Sequence, residues 1–483
     1  MKHLTLSSII LILLLPLSQL NAQNSLNLKV VRGGQDTVRT SSINIIGVTE
    51  PGAEVTINNE PVKVYKTGSF GIQLKLTEGD NPVSISAVKG RERTLIDRNI
   101  YYSTVPMRQG PILVIVPIDT TFYVTTKENA WFNYGEGTDR LGGAKISNLC
   151  GGITLKVCQI YGDLYKVALS DNRYAYIPKS LCDVTDKAPI QSLTGSWYVS
   201  NTGTHDKVSV SLASKLPYII DDKGYPSRIE VDIYGAKCNS NWITQMLDLK
   251  MIESVDLEQI DSDVFRVIIY LKKEHGWGYY VTYERNNLAI YVKHEPELTL
   301  KGMLIGLDAG HGSSAVGAIS PSGLTENEIN MDMVYRLKRL LEKEGARVVL
   351  SRKDINSDLG QAERKEFFIS NGVDMAFSVH CNAGGSPFTP MGTSTYYKQF
   401  NDRDLAKSVL ERMLELGMPN YGLVGNFNFS QNAVTHYPNI LVETLFMSSL
   451  PDEELLADPN YREQMMKKVV AGIKDYLKQC RSK

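Results

Sequence analysis

Two regimes of hydrophobic patterning divide the chain near residue 300. Before it, apolar and polar positions alternate in short period-two runs broken by turn residues. After it, apolar positions recur at three- and four-residue intervals between short apolar runs. The first regime predicts short β-strands. Residues 24–104 carry GVTEPGAEVTINNEPV and TGSFGIQLKLTEGDNPVSISAV, broken at Pro51-Gly52, Asn58-Asn59, Gly68 and Gly79-Asp80, and predict a small β-sandwich. A second β-unit is expected from ITLKVCQIYGDLYKVAL and NRYAYIPKSLC. A third follows from KVSVSLASKLPYII, RIEVDIYG, VFRVIIYLKK and LAIYVKH. Expected boundaries are 23–108, 109–188 and 189–297, with a last domain over 298–483.

The second regime predicts a multidomain protein ending in a three-layer α/β domain. Strands expected near 303–308, 347–351, 374–380, 393–397 and 440–445 alternate with helices near 326–344, 360–371, 402–416 and 459–478, the pattern of a mainly parallel sheet covered on both faces. Such sheets bind ligands at the carboxyl ends of their strands. His311, His380 and Glu443 lie at or just beyond three of those ends. Glu326 opens the helix marked by Ile329, Met333, Leu337 and Leu340, where the helix dipole favours a carboxylate. Two histidines and two glutamates suffice for a metal-dependent hydrolase. Catalytic zinc takes three nitrogen or oxygen ligands and a water, whose pKa falls from ~15.7 to about 7. His311, Glu326 and His380 would be the ligands of one zinc ion, leaving Glu443 as the base. Singly, the histidines and Glu326 are more often loop or cap residues, whereas Glu443, flanked by Ile440, Leu441, Val442 and Phe446, is expected to be buried and to need a partner; the set of four carries the reading.

Composition narrows the setting. Lys2, the apolar run Ile9 to Leu17 and the small-residue stretch Leu20-Asn21-Ala22 predict a cleaved signal peptide over 1–22 and a mature start near Gln23. About nine apolar residues fall short of the ~20 that span a bilayer, and no cysteine follows for a lipid anchor. The expectation is export across the inner membrane to the periplasm, without a stable membrane anchor. With 52 basic and 53 acidic residues, the chain has no charge bias towards nucleic acid. Its six cysteines fit no zinc knuckle and could pair in part as disulfides; Cys381 is expected as a small buried hydrophobe.

Residues 300–480 resemble the zinc-dependent N-acetylmuramoyl-L-alanine amidases (the type 3 catalytic domain), which cleave peptidoglycan. The likeness runs in order through D308-A-G-H-G312, G323-L-T-E326 with Asn330, R352-K-D354, the stretch Leu359 to Arg364, S378-V-H-C-N-A383 and P438-N-I-L-V-E-T444. It implies a mechanism in which zinc polarises the amide between muramic acid and L-alanine. Glu443 would take a proton from the attacking water and return it to the departing nitrogen. Asp308 and Asn382 are candidates to orient the ligands, or else cap the loops after their strands. No extra helix is expected between Ala383 and Pro438, where some relatives block the zinc site until a partner acts. An ungated enzyme follows, with any protein activator unknown.

The chain departs from that family at Ala309, Ser313, Leu445, Ser449 and Ala433, which puts substrate contacts on the last motif's side in question. His436 is a replacement contact there or a solvent-facing loop residue. The three β-units resemble an immunoglobulin-like module, a bacterial SH3-like barrel that binds the wall or merely spaces, and a β-rich targeting domain. Trp277, Tyr279, Tyr280 and Tyr283 would be a glycan-stacking surface or ordinary sheet packing. Two other functional readings stay open: a zinc peptidase acting within the stem peptide, and a weakened peptidoglycan-binding protein.

Overall fold

The structure is a computed structural model that describes residues 26–104, 116–139 and 141–482. The signal segment expected at 1–22 lies outside the described residues. Among the described residues, no helix is long and apolar enough to cross a membrane. The chain divides into two compact units, Met1–Thr104 and Val105–Lys483.

The first unit is two sheets around one core. Strands Leu28–Arg32, Ser42–Thr49 and Ser69–Lys75 form one sheet. Thr37–Val38, Glu92–Tyr102, Gly79–Lys89, Glu54–Ile57 and Glu60–Val62 form the other, in that spatial order. Period-two patterning sets which side chains face inward: Val83, Ile85 and Ala87 are buried, and Phe70, Ile45 and Val55 meet them from other strands.

The second unit begins with a seven-stranded antiparallel sheet between Ile118 and Thr185, followed by sheets of five and four strands between Trp197 and Lys293. A single hydrophobic core runs from Val124 through Val167, Trp197 and Val231 to Val292, so no break in packing falls at residue 188. Trp277, Tyr279 and Tyr283 pack inside the protein. Trp277 stacks on Tyr476 at 6.1 Å between ring centroids. These rings are therefore packing, and no glycan-stacking face is built from them. No disulfide links any of the six cysteines, and Cys381 lies in the core as expected.

The C-terminal region carries one six-stranded sheet. In chain order its elements are β1 Leu304–Ala309, α1 Glu326–Lys343, β2 Arg347–Leu350, α2 Gln361–Ser370, β3 Met375–Asn382, β4 Thr393–Tyr396, α3 Arg403–Leu414, β5 Asn420–Val424, β6 Asn439–Phe446, α4 Leu450–Ala457 and α5 Pro459–Ser482. The spatial order is β2-β1-β3-β6-β4-β5. The first four strands are parallel; β4 pairs with β6 antiparallel and with β5 parallel. Near-continuous apolar runs in β1, β3 and β6 suit strands buried on both faces. One face packs on α1, α3 and α5 through Ile329, Met333, Leu337, Val409 and Val469. The other packs on Phe368 of α2 with Val434 and Tyr437. Patterning missed two elements: β5, a short edge strand interrupted by Gly422, and the eight-residue α4.

Candidate active site

His380 and Glu443 enter the site on neighbouring parallel strands. They are Cα partners in the register of β3 and β6, so their side chains leave the same face. Cys381 leaves the opposite face and contacts Thr444 at 3.4 Å. Glu443 is half-buried, less enclosed than its apolar neighbours suggest.

His311 follows β1 in a tight loop and has a left-handed backbone, φ 65°. That conformation costs a side-chain-bearing residue free energy, and two buried arginines hold it in place. Arg364 Nη2 donates to His311 O (2.6 Å), and Arg352 donates from Nε to Ala309 O and from Nη2 to Gly310 O (2.9 Å each). Gly310 is required because a Cβ there would lie 2.2 Å from the His380 ring; one at Gly317 would lie 2.5 Å from the Glu326 carboxylate.

Glu326, in the first turn of α1, joins the two histidines. Its Oε2 lies 3.2 Å from His311 Nε2 and its Oε1 lies 3.1 Å from His380 Nδ1. Backbone N–H groups of Ala318 (2.9 Å) and Cys381 (3.2 Å) and the Asn330 amide (3.3 Å) donate to the same carboxylate. Burial opposes its ionisation, yet the hydrogen bonds and positive charge of the two histidines outweigh that and hold its carboxyl far below the usual range. Burial lowers His380's affinity for a proton, but Glu326 and then Glu443 reverse the balance and raise its pKa.

The group fits a metal ion. One donor atom from each of His311, Glu326 and His380 lies within 4.8 Å of the others. Two imidazole nitrogens and a carboxylate oxygen are a donor set that catalytic zinc takes. His380 Nε2 is buried with no hydrogen-bond partner among the described residues, and His311 leaves one side of the group open.

Asp308 and Asn382 touch neither histidine through a hydrogen bond. Asp308 is fully buried and ion-pairs with Arg364 (2.9 Å); it accepts from Ser351, from Ser378 (2.8 Å) and from Gln431 (2.9 Å). It thus acts on His311 through the arginine that holds that loop. Asn382 donates to the Tyr396 hydroxyl (3.2 Å) and caps its own loop at Ala383 N–H.

The departures in the last motif are structural. Leu445 is fully buried in the core. Ser449 caps α4 and donates to Thr389 O. Ala433 is buried, and its carbonyl accepts from Asn148 (3.3 Å). His436 is half-buried and stacks flat on Tyr280, ring centroids 5.2 Å apart, and Tyr280 stacks on Tyr291.

Sequence reasoning assigned no role to Arg352, Arg364, Gln431 or Phe429. Phe429 meets His380 edge-on at 6.0 Å, from a loop whose Asn428 accepts from Lys145 N–H (3.1 Å). An isolated aromatic in a loop carries no periodic signal; the two arginines fall inside the matching stretches, where their buried targets are backbone carbonyls.

Residues 305–475 match the family model for N-acetylmuramoyl-L-alanine amidase. The chain is 31% identical over 182 residues to the amidase LytC of Bacillus subtilis, a match covering 37% of this chain and 36% of LytC. It is 26% identical over 218 residues to the amidase AmiC of Neisseria meningitidis, covering 36% of this chain and 52% of AmiC. A solved structure of the amidase AmiC2 of Nostoc punctiforme is 28% identical, covering 37% of this chain and 99% of that one, with a TM-score of 0.35. The stretch matched to LytC or AmiC is thus about half of either relative or less. Sheet, candidate site and match coincide in one domain. Residues 305–475 are thus similar to N-acetylmuramoyl-L-alanine amidases.

Proposed function

We propose that this protein is a zinc-dependent enzyme that hydrolyses the amide between N-acetylmuramic acid and L-alanine of peptidoglycan, in wall remodelling or daughter-cell separation. The observation that carries the reading is the His311, Glu326, His380 group with Glu443 on the adjoining strand. These three residues would hold one zinc ion, which when bound supplies Lewis acidity towards the carbonyl and lowers the pKa of water. Glu443 accepts the proton of the attacking water and returns it to the departing L-alanine nitrogen. Arg364 and Arg352 fix the His311 loop, and the shared Glu326 carboxylate sets the spacing of the two histidines.

The predicted signal segment and the named wall amidases among its relatives favour an exported, periplasmic enzyme. Between Ala383 and Pro438 the described residues contain one α-helix, α3, which packs in the core away from the site, so the reading is of an enzyme active without a partner. The Ig-like, SH3-like and targeting-type assignments of 23–108, 109–188 and 189–297 belong to the same proposal, as wall-facing accessory regions.

The test is release of muramic-acid-free stem peptide from purified sacculi by the mature protein, with a chelator control and mass spectrometry of the products. Release abolished by chelation and restored by zinc is expected. Products that keep the first L-alanine on muramic acid would instead identify a peptidase, and absence of any product from metal-loaded protein would leave a wall-binding role.

A further inference from the structure

A groove of about 500 Å³ opens where three parts of the second unit converge. That volume lies within the roughly 300–1,000 Å³ range of ligand-binding clefts. Tyr134 reaches it from the seven-stranded sheet, Tyr225 from the turn after strand Tyr218–Lys223, and Phe400 from the C-terminal region just before α3. Their exposure is 62%, 71% and 40%. Tyr225 and Phe400 meet edge-on at 6.1 Å. Three large rings left in water around one groove are unusual for a surface that binds nothing.

The groove is built. Phe400 N–H and Asn401 N–H donate to the buried Asp222 carboxylate (3.3 and 2.8 Å), and a Cβ at Gly224 would lie 1.9 Å from the Phe400 ring. Lys398 Nζ bridges Lys145 O (3.1 Å) and Asn426 Oδ1 (2.5 Å) across the floor. Arg228, Asp221 and Asn426 add polar groups at its walls.

We propose that this groove binds the glycan strand of peptidoglycan, a polymer of N-acetylated amino sugars. It rests on the reading of peptidoglycan as substrate. A pyranose ring offers a face of C–H groups that packs on aromatic rings, and a rim of hydroxyl and acetamido groups that needs hydrogen-bond partners. The groove supplies both. It also leads towards the reaction centre: Asn426 precedes Phe427, whose ring meets Tyr396 (4.7 Å) and Phe429 (5.9 Å), and Phe429 meets His380. A strand lying in the groove therefore directs a stem peptide along this aromatic row to the metal group. A second copy of the chain is a poorer occupant, because a stable protein interface needs roughly 1,000 Å² or more of matched surface.

The experiment measures co-sedimentation of the mature full chain with glycan strands stripped of stem peptides, which lack the scissile amide. Binding is compared among the native protein, Tyr134→Ala/Tyr225→Ala and Tyr198→Ala, the last an exposed aromatic outside the groove. Native protein and Tyr198→Ala should bind alike, with affinity lowered at least about tenfold in the double variant at an unchanged melting temperature. If the double variant melts early, Tyr225→Ala alone replaces it. Native protein that ignores stripped strands, or a Tyr134→Ala/Tyr225→Ala variant that binds them as well as native, overturns the proposal. So does a double variant whose only change is lost self-association in sedimentation velocity. No hydrolysis occurs in this assay, so failure of the amidase reading shows separately, in the peptide-release experiment.

Discussion

His380 and Glu443 occupy one rung of the parallel sheet, side by side on the same face, although 63 residues separate them in the chain. The pairing brings a would-be metal ligand and a would-be base together without either depending on loop conformation. Glu443 also adds to the rise in His380's pKa, after the hydrogen bond to Glu326. Replacing Glu443 by Gln keeps shape and removes the base. Peptide release should fall by roughly 10² to 10⁴ while zinc content, read by elemental analysis, stays at one ion. His380→Ala should lose both activity and zinc.

The Arg364 to Asp308 pair is buried on both sides and holds the His311 loop. Arg364→Leu strands the carboxylate and should cost about 3–5 kcal/mol in urea unfolding. Burial works against the Asp308 charge, but Arg364 first and then Ser351 hold its carboxyl below 3.8, the ordinary value. A depressed carboxylate pKa contributes stability that is present above the unfolded value and lost as pH falls through the folded one. The acid limb of the native stability profile should therefore flatten in Arg364→Leu.

Burial, followed by the positive charges of Lys365 and Lys293, pushes His436 down to about 4. The unfolded chain then takes up the proton first as pH falls. This group's contribution is intact above about 6.5, declines between there and about 4, and changes by at most ~1.4 kcal/mol per pH unit. His436→Phe keeps a ring on Tyr280 without the titration. Its urea midpoint should drop less than the native one between pH 7.5 and 5.

Leu445 and Ser449 give a separate check on whether the altered last motif touches substrate. Leu445→Ala should cost about 2–5 kcal/mol and Ser449→Ala about 0.5–2 kcal/mol in thermal unfolding. KM for muropeptide should stay at the native value in both. A KM shift without loss of stability would place these side chains at the substrate after all.

Much of the C-terminal domain is legible in the sequence because its signals are local. β1, β3 and β6 are uninterrupted apolar runs, and α1 repeats Ile329, Met333 and Leu337 on one face. The four residues at or just beyond the ends of these elements could be named for the same reason. What escaped are contacts made at a distance. Arg352 and Arg364 show no pattern until the carbonyls of residues 309–311 are placed beside them. His436 reads as a loop residue until Tyr280 is stacked on it. The aromatic series from Trp277 to Tyr283 stays open between a surface and sheet packing because alternation alone does not reveal that α5 covers Trp277 and a second sheet meets Tyr283.

Trp277 belongs by sequence to the β-rich region, yet its ring lies in the core of the C-terminal domain, against Tyr476 of α5. Packing therefore continues across the border expected at residue 297. A fragment starting there would leave α5 with an uncovered apolar hollow and deprive the loop carrying Asn428 and Ala433 of its partners Lys145 and Asn148. The packed unit is larger than the matched stretch 305–475, and its β-rich half helps to cover the C-terminal domain as well as preceding it.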